Sequence, residues 1–219
     1  MAHVIWDWNG TLMDDFGLLL AAANSTLVAH GGEPVDVHRY RSSFRRPVHL
    51  FYAELLEREL SEQEWRRLDE HFHAHYSANV ETADLSAGAA ELLAAIASAG
   101  HTQSVLSMWF HRQLVPFVES RGVAQHFVRI DGRPADAPAG SKTPHLARHI
   151  AALDLDPREL SGLVMIGDTV DDADAATDNG IPIVLYAGGE FDAERLAATG
   201  APVAATLTQA AEMAGVLHR

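Results

Sequence analysis

The sequence predicts an α/β protein with a doubly wound, Rossmann-like parallel sheet and a helical cap inserted after the first strand. From about residue 84 onward, short apolar runs alternate with helical patterns, which favours right-handed crossovers and a parallel sheet. Several of these runs are continuously apolar, as expected for strands covered by helices on both faces. Residues 14–83 instead carry helical patterns and no convincing strand. We therefore expect a core of residues 1–13 and 84–219 and a cap of residues 14–83.

The first strand and three cap helices follow one another directly. Residues 3–6, HVIW, form a buried strand that ends at an aspartate. An apolar helical pattern covers residues 16–30, and the two glycines that follow stop it. A second helix is predicted over residues 47–60, with a proline in its first turn. A third covers residues 61–80, where Ser61 and Glu64 have the spacing of a capping box.

The rest of the chain supplies the alternating elements of the core. Strands are predicted at residues 102–107, 126–130, 162–167, 181–187 and 201–205, and helices at 86–100, 111–122, 143–153, 192–200 and 206–217. The helix over 143–153 is expected to use Thr143 as its cap and Pro144 as its first position. By composition, residues 131–142 form a loop.

Composition restricts the classes of function. The formal net charge of −14 argues against a nucleic-acid partner, because a polyanion would be repelled by the average surface. No apolar run approaches the ~20 residues of a membrane span, and the N-terminus does not resemble a signal peptide. The absence of cysteine excludes disulfides, thiolate metal sites and a cysteine nucleophile, and it fits a cytoplasmic protein. The oligomeric state is left open.

Residues with reactive side chains follow successive predicted strands. Asp7 follows the first strand, Ser107 ends the strand over 102–107, and Asp168 follows the strand over 162–167. Lys142, the only lysine in the chain, precedes a core helix. Ligands of open parallel sheets bind at the carboxyl ends of the strands. We therefore expect these four side chains to meet in one site.

The chemistry of these residues points to phosphoryl transfer. Asp7 is a candidate carboxylate nucleophile. Asp168 and either Asp171 or Asp172 offer the hard oxygen ligands that Mg²⁺ prefers. Ser107, Lys142 and the backbone amides of Gly10 and Thr11 can bind the phosphate oxygens. Phosphoryl transfer depends on this kind of positioning and charge neutralisation.

These motifs make the chain resemble the haloacid dehalogenase-like (HAD) superfamily over nearly its whole length. DWNGTL is similar to the first family motif, Ser107 and Lys142 match the second and third, and IGDTVDD matches the fourth, with Asp168 and Asp172 at the usual spacing. The insert resembles the small helical cap of phosphoglycolate-phosphatase-like members. The resemblance implies a Mg²⁺-dependent phosphatase in which Asp7 becomes an aspartyl-phosphate and a metal ligand. It also implies that the backbone carbonyl of Asn9 joins the metal shell, and that the substrate is a small phosphorylated molecule.

Asn9 departs from the family pattern. Family phosphatases carry an aspartate at this position, which protonates the leaving oxygen and then activates water. An amide can hydrogen-bond but cannot exchange a proton at neutral pH, and general acid–base catalysis contributes ~10²–10⁴-fold in rate. Three outcomes stay open: a weak or specialised phosphatase, a phosphoryl-transfer enzyme with a long-lived phosphoenzyme, and a catalytically silent protein that binds a ligand or partner. His38 or His49 could replace the missing acid if the cap closes.

The cap also contains a cluster of basic residues in an otherwise acidic chain, namely Arg39, Arg41, Arg45 and Arg46. Arginine suits bidentate contacts with carboxylate or phosphate, so Arg45 and Arg46 are candidates for substrate recognition. The alternative is a solvated helix face that pairs with nearby acidic residues. At most one or two of the four are expected to touch substrate.

Two further groups of cap residues are given structural roles. His71 and His75 stand four residues apart and could share a metal on a helix, but no third ligand is evident, so a solvent-facing helix is favoured. Asp14 and Asp15 lie where the cap leaves the core, which favours a hinge or helix-start role over catalysis.

Overall fold

The computed structural model describes residues 1–135, 140–155 and 160–217. Its strands are β1 (His3–Trp6), β2 (Met13–Asp14), β3 (Asp84–Leu85), β4 (Thr102–Phe110), β5 (Arg129–Arg133), β6 (Leu163–Gly167), β7 (Ile183–Tyr186) and β8 (Val203–Ala204). Its α-helices are α1 (Phe16–Ala29), α2 (Val37–Ser43), α3 (Val48–Leu55), α4 (Glu62–Asn79), α5 (Ala89–Ser98), α6 (His111–Ser120), α7 (Thr143–Ala152), α8 (Val170–Asp178), α9 (Ala193–Ala197) and α10 (Leu207–Met213). Short 3₁₀ turns lie at Val80–Thr82 and Ala124–His126. Among the described residues, no helix has both the length and the apolar character required to cross a membrane.

Six strands form one parallel sheet in the order β5-β4-β1-β6-β7-β8, which confirms the predicted doubly wound fold. β1 lies in the middle, between β4 and β6. From β1 the chain builds the sheet outward through β4 to β5, and then returns to build the other side from β6 to β8. The strand order therefore reverses beside β1, and this switch point is where open sheets of this kind bind their ligands.

Both faces of the sheet are covered, as the continuously apolar strands predict. Val4 and Trp6 of β1 belong to one buried cluster with α5, α6 and α10, whereas Ile5 belongs to a second cluster with α7 and α8. Successive residues of a strand point to opposite faces, so a strand buried on both faces has no room for alternating polar residues.

The cap consists of α1 to α4 and follows β1, as predicted. A third buried cluster joins it to the core, because cap residues such as Tyr40 and Phe44 pack with Leu185 and Phe191. The rings of Phe44 and Phe191 lie 5.4 Å apart at 66°. The aromatic contact fixes the cap against the loop that follows β7.

A small antiparallel ribbon forms where the chain enters and leaves the cap. β2 pairs with β3, so Asp14 lies opposite Asp84 and Met13 opposite Leu85. The sequence did not predict this ribbon, because two residues per strand are too short for a periodic pattern. The predicted domain boundaries fall on the same ribbon and stay a prediction.

Several predicted elements differ in extent from the observed ones. β5 begins and ends three residues later than predicted, so residues 131–133 of the predicted loop are strand; residues 136–139 of that loop lie outside the described residues. The helix predicted over 47–60 stops at Leu55, because Glu57 takes a left-handed conformation with φ 52°. α2 was not predicted; the side chain of Asp36 caps it by accepting the backbone N–H of Arg39 at 2.8 Å.

The predicted caps of two helices have different outcomes. Ser61 and Glu64 form the predicted capping box at the start of α4. α7 begins at Thr143 with Lys142 as its N-cap, so the predicted cap is wrong by one residue, and Pro144 stands in the first turn. This shift places Lys142 itself at the end of the loop that enters the site.

Candidate active site

The site is built around three buried carboxylates that the fold brings to one edge of the sheet. Asp7 follows β1 and Asp168 follows β6, two strands that pair directly. Asp172 lies in the first turn of α8 and completes the group. One oxygen from each carboxylate lies within 4.8 Å of the others, and among the described residues only these three gather in this way. The switch point of the sheet therefore carries a concentrated negative charge.

Lys142 supplies the cation of the site. Its ammonium group donates to a carboxylate oxygen of Asp7 and, at 2.5 Å, to Oδ1 of Asp172. The lysine side chain is almost completely buried between them. The predicted meeting of Asp7, Lys142 and the fourth motif is observed, and the ammonium group contacts two of the three carboxylates.

The pKa values of these groups follow from burial and mutual charge. Burial, reinforced by Asp172 and opposed by Lys142, raises the pKa of Asp7 to about 7. Burial and the neighbouring carboxylates raise the pKa of Asp168 well above its usual range. Burial works against the charged form of Lys142, but Asp172 and Asp7 outweigh it and hold its pKa above the ordinary value. The raised pKa values of Asp7 and Asp168 indicate that the single ammonium group of Lys142 does not fully offset burial and the negative charge of the cluster.

Asp172 also organises the loop around it. Its Oδ2 accepts the backbone N–H of Asp168 at 3.2 Å and that of Thr169 at 3.0 Å, together with the Thr169 hydroxyl at 2.7 Å. Burial raises the pKa of Asp172, but Lys142 and Thr169 outweigh this effect and lower it overall. Asp171, the alternative ligand, faces the same cavity and accepts a long bond from the Lys142 backbone at 3.4 Å.

Asn9 sits in a fully satisfied hydrogen-bond network. Its amide nitrogen donates to Oδ2 of Asp15 and to the Tyr76 hydroxyl, both at 3.0 Å. Its amide oxygen accepts the hydroxyl of Ser107 at 3.1 Å. Asp15, which is completely buried, also accepts the Tyr76 hydroxyl at 2.6 Å and the Gly10 backbone N–H at 2.8 Å. Burial raises the pKa of Asp15, and these three donors oppose the rise.

The other predicted phosphate-binding residues surround the carboxylates. Gly10 lines the cavity with φ +72°, and a Cβ there would lie 2.4 Å from Oδ2 of Asp168, so only glycine fits this close approach. Thr11 is buried and donates its hydroxyl to Asp168 at 3.1 Å. Ser107 was predicted to end its strand, but β4 continues to Phe110 with an irregular register after Leu106. The irregularity turns Ser107 toward Asn9.

The residues converge on a cavity of about 570 Å³ between cap and core. Asp7, Asn9, Ser107, Lys142 and Asp168 all line it. Of the four cap arginines, only Arg46 is in its wall. Further side chains from α4, β4 and α6 complete the cavity, among them Phe72, Tyr76, Trp109, Phe110 and Arg112.

The remaining cap arginines have other partners. Arg45 binds Glu54 at 2.8 Å, and Arg39 approaches the same carboxylate at 3.4 Å. Arg41 donates to the backbone carbonyls of Gly188 at 3.0 Å and Gly189 at 3.1 Å. Arg41 therefore joins the cap to the loop after β7.

The cap histidines are placed differently from the suggested roles. His38 and His49 are exposed, and neither is in the cavity wall. His71 bonds to the Ser25 hydroxyl at 3.0 Å, and neither it nor His75 joins a metal-binding group among the described residues. Among the described histidines, the one in the cavity wall is His73, whose exposed ring faces Asp69 at 3.5 Å.

Among the residues of the site that were not predicted to have a role in it are Asp15, Tyr76 and Glu190. Asp15 begins α1 as expected, but its side chain bonds to residues 9, 10 and 76 instead of capping the helix. Tyr76 arrives from a cap helix, and nothing in the sequence pairs it with Asn9. Glu190 was detectable, because it follows β7 at the same edge of the sheet as the other acids.

A parallel sheet with this order, a cap after its first strand and an acidic cluster with one buried lysine define a class of phosphoryl-handling hydrolases. The model of the family described as haloacid dehalogenase-like hydrolase matches residues 4–186. The chain belongs to this family, as the resemblance implied. It is 30% identical over 194 residues to a phosphoglycolate phosphatase from Agrobacterium fabrum, covering 86% of this chain and 81% of the relative.

Two solved structures illustrate the similarity. A haloacid dehalogenase-like hydrolase from Streptococcus pneumoniae superposes with a TM-score of 0.75 at 19% identity, covering 92% of this chain and 91% of the other. Protein tyrosine kinase A from Mycobacterium tuberculosis superposes with a TM-score of 0.74 at 28% identity, covering 97% of both chains. The first shows the shared fold, and the second adds appreciable sequence similarity.

Proposed function

We propose that this protein is a Mg²⁺-dependent phosphatase that hydrolyses a small phosphate ester or acyl phosphate through an aspartyl-phosphate on Asp7. The observation that carries the proposal is the contact between Asp7 and the ammonium group of Lys142 at the wall of a cavity that also contains Asp168 and Asp172. A nucleophile, a cation and metal ligands are thus available to one bound phosphate.

The residues fit a magnesium ion. Asp7, Asp168 and Asp172 provide hard carboxylate oxygens within 4.8 Å of one another, and Lys142 compensates only part of their charge. The backbone carbonyl of Asn9 is the proposed fourth protein ligand, and Asp171 is the alternative to Asp172. When bound, the ion supplies positive charge that offsets repulsion between the carboxylates and an incoming phosphate.

In phosphoryl transfer, the residues of the site then have separate roles. A carboxylate oxygen of Asp7 forms a bond to phosphorus while the bond to the leaving oxygen breaks. Lys142, Ser107 and the amides of Gly10 and Thr11 bind the phosphate oxygens. Water subsequently attacks phosphorus, the bond to Asp7 breaks, and phosphate is released.

Asn9 limits this chemistry at one point. The amide holds Ser107 and Asp15 in place but has no proton to exchange. Substrates with good leaving groups depend least on a general acid, which supports an acyl phosphate or an activated ester. Hydrolysis of other esters is weak unless another group supplies the proton.

Cavity size and charge support a small anionic substrate. A volume of about 570 Å³ is within the usual range for small-molecule sites. Arg46 lies in the wall, whereas Arg45 is held by Glu54, so the geometry favours Arg46 for recognition of the part of the substrate beyond the phosphate.

A second function, phosphoryl transfer to an acceptor other than water, is favoured by two observations. Asn9 lacks the proton needed to activate water, and the chain shares 28% identity with protein tyrosine kinase A over 97% of both chains. In this alternative the phosphate stays on Asp7 until an acceptor hydroxyl arrives. A silent ligand-binding protein is the third possibility, and the same experiment distinguishes it.

The test is to incubate the protein with acetyl phosphate or p-nitrophenyl phosphate, with Mg²⁺ or with EDTA. We expect Mg²⁺-dependent phosphate release and a phosphoryl group on Asp7 that mass spectrometry locates after an acid quench. Asp7→Asn removes the nucleophile and is expected to abolish both signals.

Asp174→Asn is the matched control, because this exposed acid lies on α8 two residues beyond Asp172. It should retain the parent activity. A parent protein that releases no phosphate and carries none on Asp7 would overturn the proposal and leave the binding protein. Stable phosphate on Asp7 with slow release would favour transfer to another acceptor.

A further inference from the structure

A second acid lies in the cavity wall, on the loop that follows β7. Among described residues with a buried side-chain polar atom that lacks a hydrogen-bond partner, Glu190 is the one that lines this cavity, and the atom is Oε2. Burying a carboxylate oxygen without a partner is costly, so such a group in a native protein calls for an explanation, such as a catalytic role, a ligand or an ordered water. Glu190 therefore needs a functional explanation.

Most of the other proton-exchanging groups described in the wall are already engaged, and the exception is Asp171, which accepts a long bond from the Lys142 backbone at 3.4 Å. Both oxygens of Asp15 accept hydrogen bonds, from Gly10, Asn9 and Tyr76. His73 is exposed and faces Asp69 on its own helix. Asp7, Asp168 and Asp172 belong to the nucleophile and metal cluster. Glu190 differs from all of them in that one of its carboxylate oxygens is buried in the wall without a hydrogen-bond partner.

We propose that Glu190 is the general acid and base of this site and performs the proton transfers that Asn9 cannot. This inference rests on the proposed aspartyl-phosphate chemistry. It assigns to a residue after β7 the proton transfers that the family assigns to the position of Asn9.

The loop that carries Glu190 approaches the reacting groups closely and is fixed by the cap. A Cβ at residue 189 would lie 1.7 Å from Oδ2 of Asp168, so the backbone next to Glu190 passes directly over the metal cluster. Arg41 of α2 holds the carbonyls of Gly188 and Gly189, and Phe191 packs on Phe44 of the cap. These cap contacts therefore hold the loop in place and fix the orientation of the Glu190 carboxylate.

The electrostatic surroundings suit a group that both gives and takes a proton. Burial, with additional repulsion from Asp15 and Asp172, raises the pKa of Glu190 to about 7, and Arg46 opposes the rise. The charged and titratable groups that interact with it come from every neighbouring element: Asp15 before α1, Tyr40 of α2, Arg46 before α3, Tyr76 of α4, Asp168 after β6 and Asp172 of α8. A group with a pKa near the working pH exchanges protons most effectively.

The proposed steps balance as follows. Asp7 bonds to phosphorus, the bond from phosphorus to the leaving oxygen breaks with its electron pair, and protonated Glu190 gives that oxygen its proton. The Glu190 carboxylate then takes a proton from water as the water oxygen bonds to phosphorus. The bond to Asp7 breaks, its electron pair returns to the carboxylate, and phosphate leaves with Glu190 protonated again.

The test measures how fast phosphoenzyme made from acetyl phosphate and Mg²⁺ decays, across a pH series. Acetate is a good leaving group, so phosphorylation should survive in Glu190→Gln. Decay, which needs a base, should slow by about 10²–10⁴-fold. In the parent, the decay rate should fall as the pH drops through the pKa of Glu190; in Glu190→Gln this pH dependence should disappear.

Two variants separate proton transfer from a structural effect. Glu194→Gln, an exposed acid in the first turn of α9, should match the parent. Glu190→Asp retains a carboxylate and should keep the pH dependence at a reduced rate, even if Glu190→Gln folds poorly.

The outcomes also separate this inference from the proposed function. Equal decay rates and pH profiles in the parent and Glu190→Gln, with phosphate on Asp7 in both, would overturn the role of Glu190 alone. If Glu190→Gln changed only the steady-state KM for acetyl phosphate, that result would also overturn the role, because it would indicate substrate binding instead of proton transfer. Absence of phosphoenzyme from every variant would overturn the proposed function, and this inference with it.

Discussion

At the scale of single residues, the structure changes how Asn9 is interpreted. The amide is one half of a pair, because its nitrogen donates to the buried carboxylate of Asp15. An aspartate at position 9 would place two acids side by side, whereas an amide at position 9 and an acid at position 15 are complementary. The local hydrogen bonds therefore match an amide, and not the family acid, at position 9.

This arrangement predicts that Asn9→Asp does not simply restore a family phosphatase. Replacing the donor nitrogen removes one hydrogen bond from Asp15 and one from Tyr76, and it brings a like charge to about 3 Å from Asp15. We therefore expect a loss of about 1–3 kcal/mol in the free energy of unfolding. Urea denaturation measures it.

The matched variant is the exchanged pair, Asn9→Asp with Asp15→Asn. It restores one acid and one amide, so much of the lost stability should return as a positive coupling in a double-mutant cycle. Simple additivity of the two single changes would show that the residues do not interact as described.

At the scale of elements, the sequence correctly predicted the buried strands and the site residues at their carboxyl ends, because hydrophobic patterns indicate both. The central strand β1, the strand β6 and the residues at their carboxyl ends were identified, because a buried run followed by an acid is a local signal. Asp7, Lys142 and Asp168 consequently met as expected.

Contacts between distant elements could not be predicted in this way. Tyr76 meets Asn9 across 67 positions of sequence, and Arg41 meets Gly188 across 147. The angle between cap and core determines both contacts, and no periodic pattern encodes that angle. The same limit explains why His38 and His49 are wrong candidates for a replacement acid, whereas Glu190 could have been found from its place after β7.

The contact between α2 and the loop after β7 leads to a prediction at this scale. Arg41 donates two hydrogen bonds to the loop and its guanidinium lies 4.4 Å from the Phe16 ring centre. Arg41→Ala should loosen the loop that carries Glu190 without touching the nucleophile. We expect phosphorylation of Asp7 to persist while phosphoenzyme decay slows.

Arg39→Ala is the control for this change, because Arg39 lies on the same short helix but faces Glu54 on the cap surface. Its decay rate should equal that of the parent. If Arg41→Ala also leaves decay unchanged, the cap does not position the loop.

At the scale of the whole molecule, buried polar groups connect the beginning of the central strand β1 to its neighbour β4. His3 of β1 is completely buried, and its ring bonds to the hydroxyls of Thr102 and Ser104 of β4, both at 2.8 Å. His149 of α7 approaches the same Ser104 hydroxyl at 2.8 Å. Stability of the central strand pair therefore depends on the protonation of a histidine.

Burial, with a smaller effect from His149, lowers the pKa of His3 to about 4, compared with about 6.5 in an unfolded chain. Between these values the unfolded chain binds a proton that the folded protein does not. The free energy of unfolding should therefore fall as the pH drops from about 6.5 to about 4, by at most roughly 3 kcal/mol from this residue. Urea denaturation at about pH 7 and about pH 5 measures the loss. His3→Gln keeps hydrogen-bonding groups but does not titrate, so its stability should change less with pH than that of the parent, whereas the exposed control His73→Gln should follow the parent. An identical pH dependence in His3→Gln and the parent would assign the acid sensitivity to the carboxylates of the site and not to the central strand.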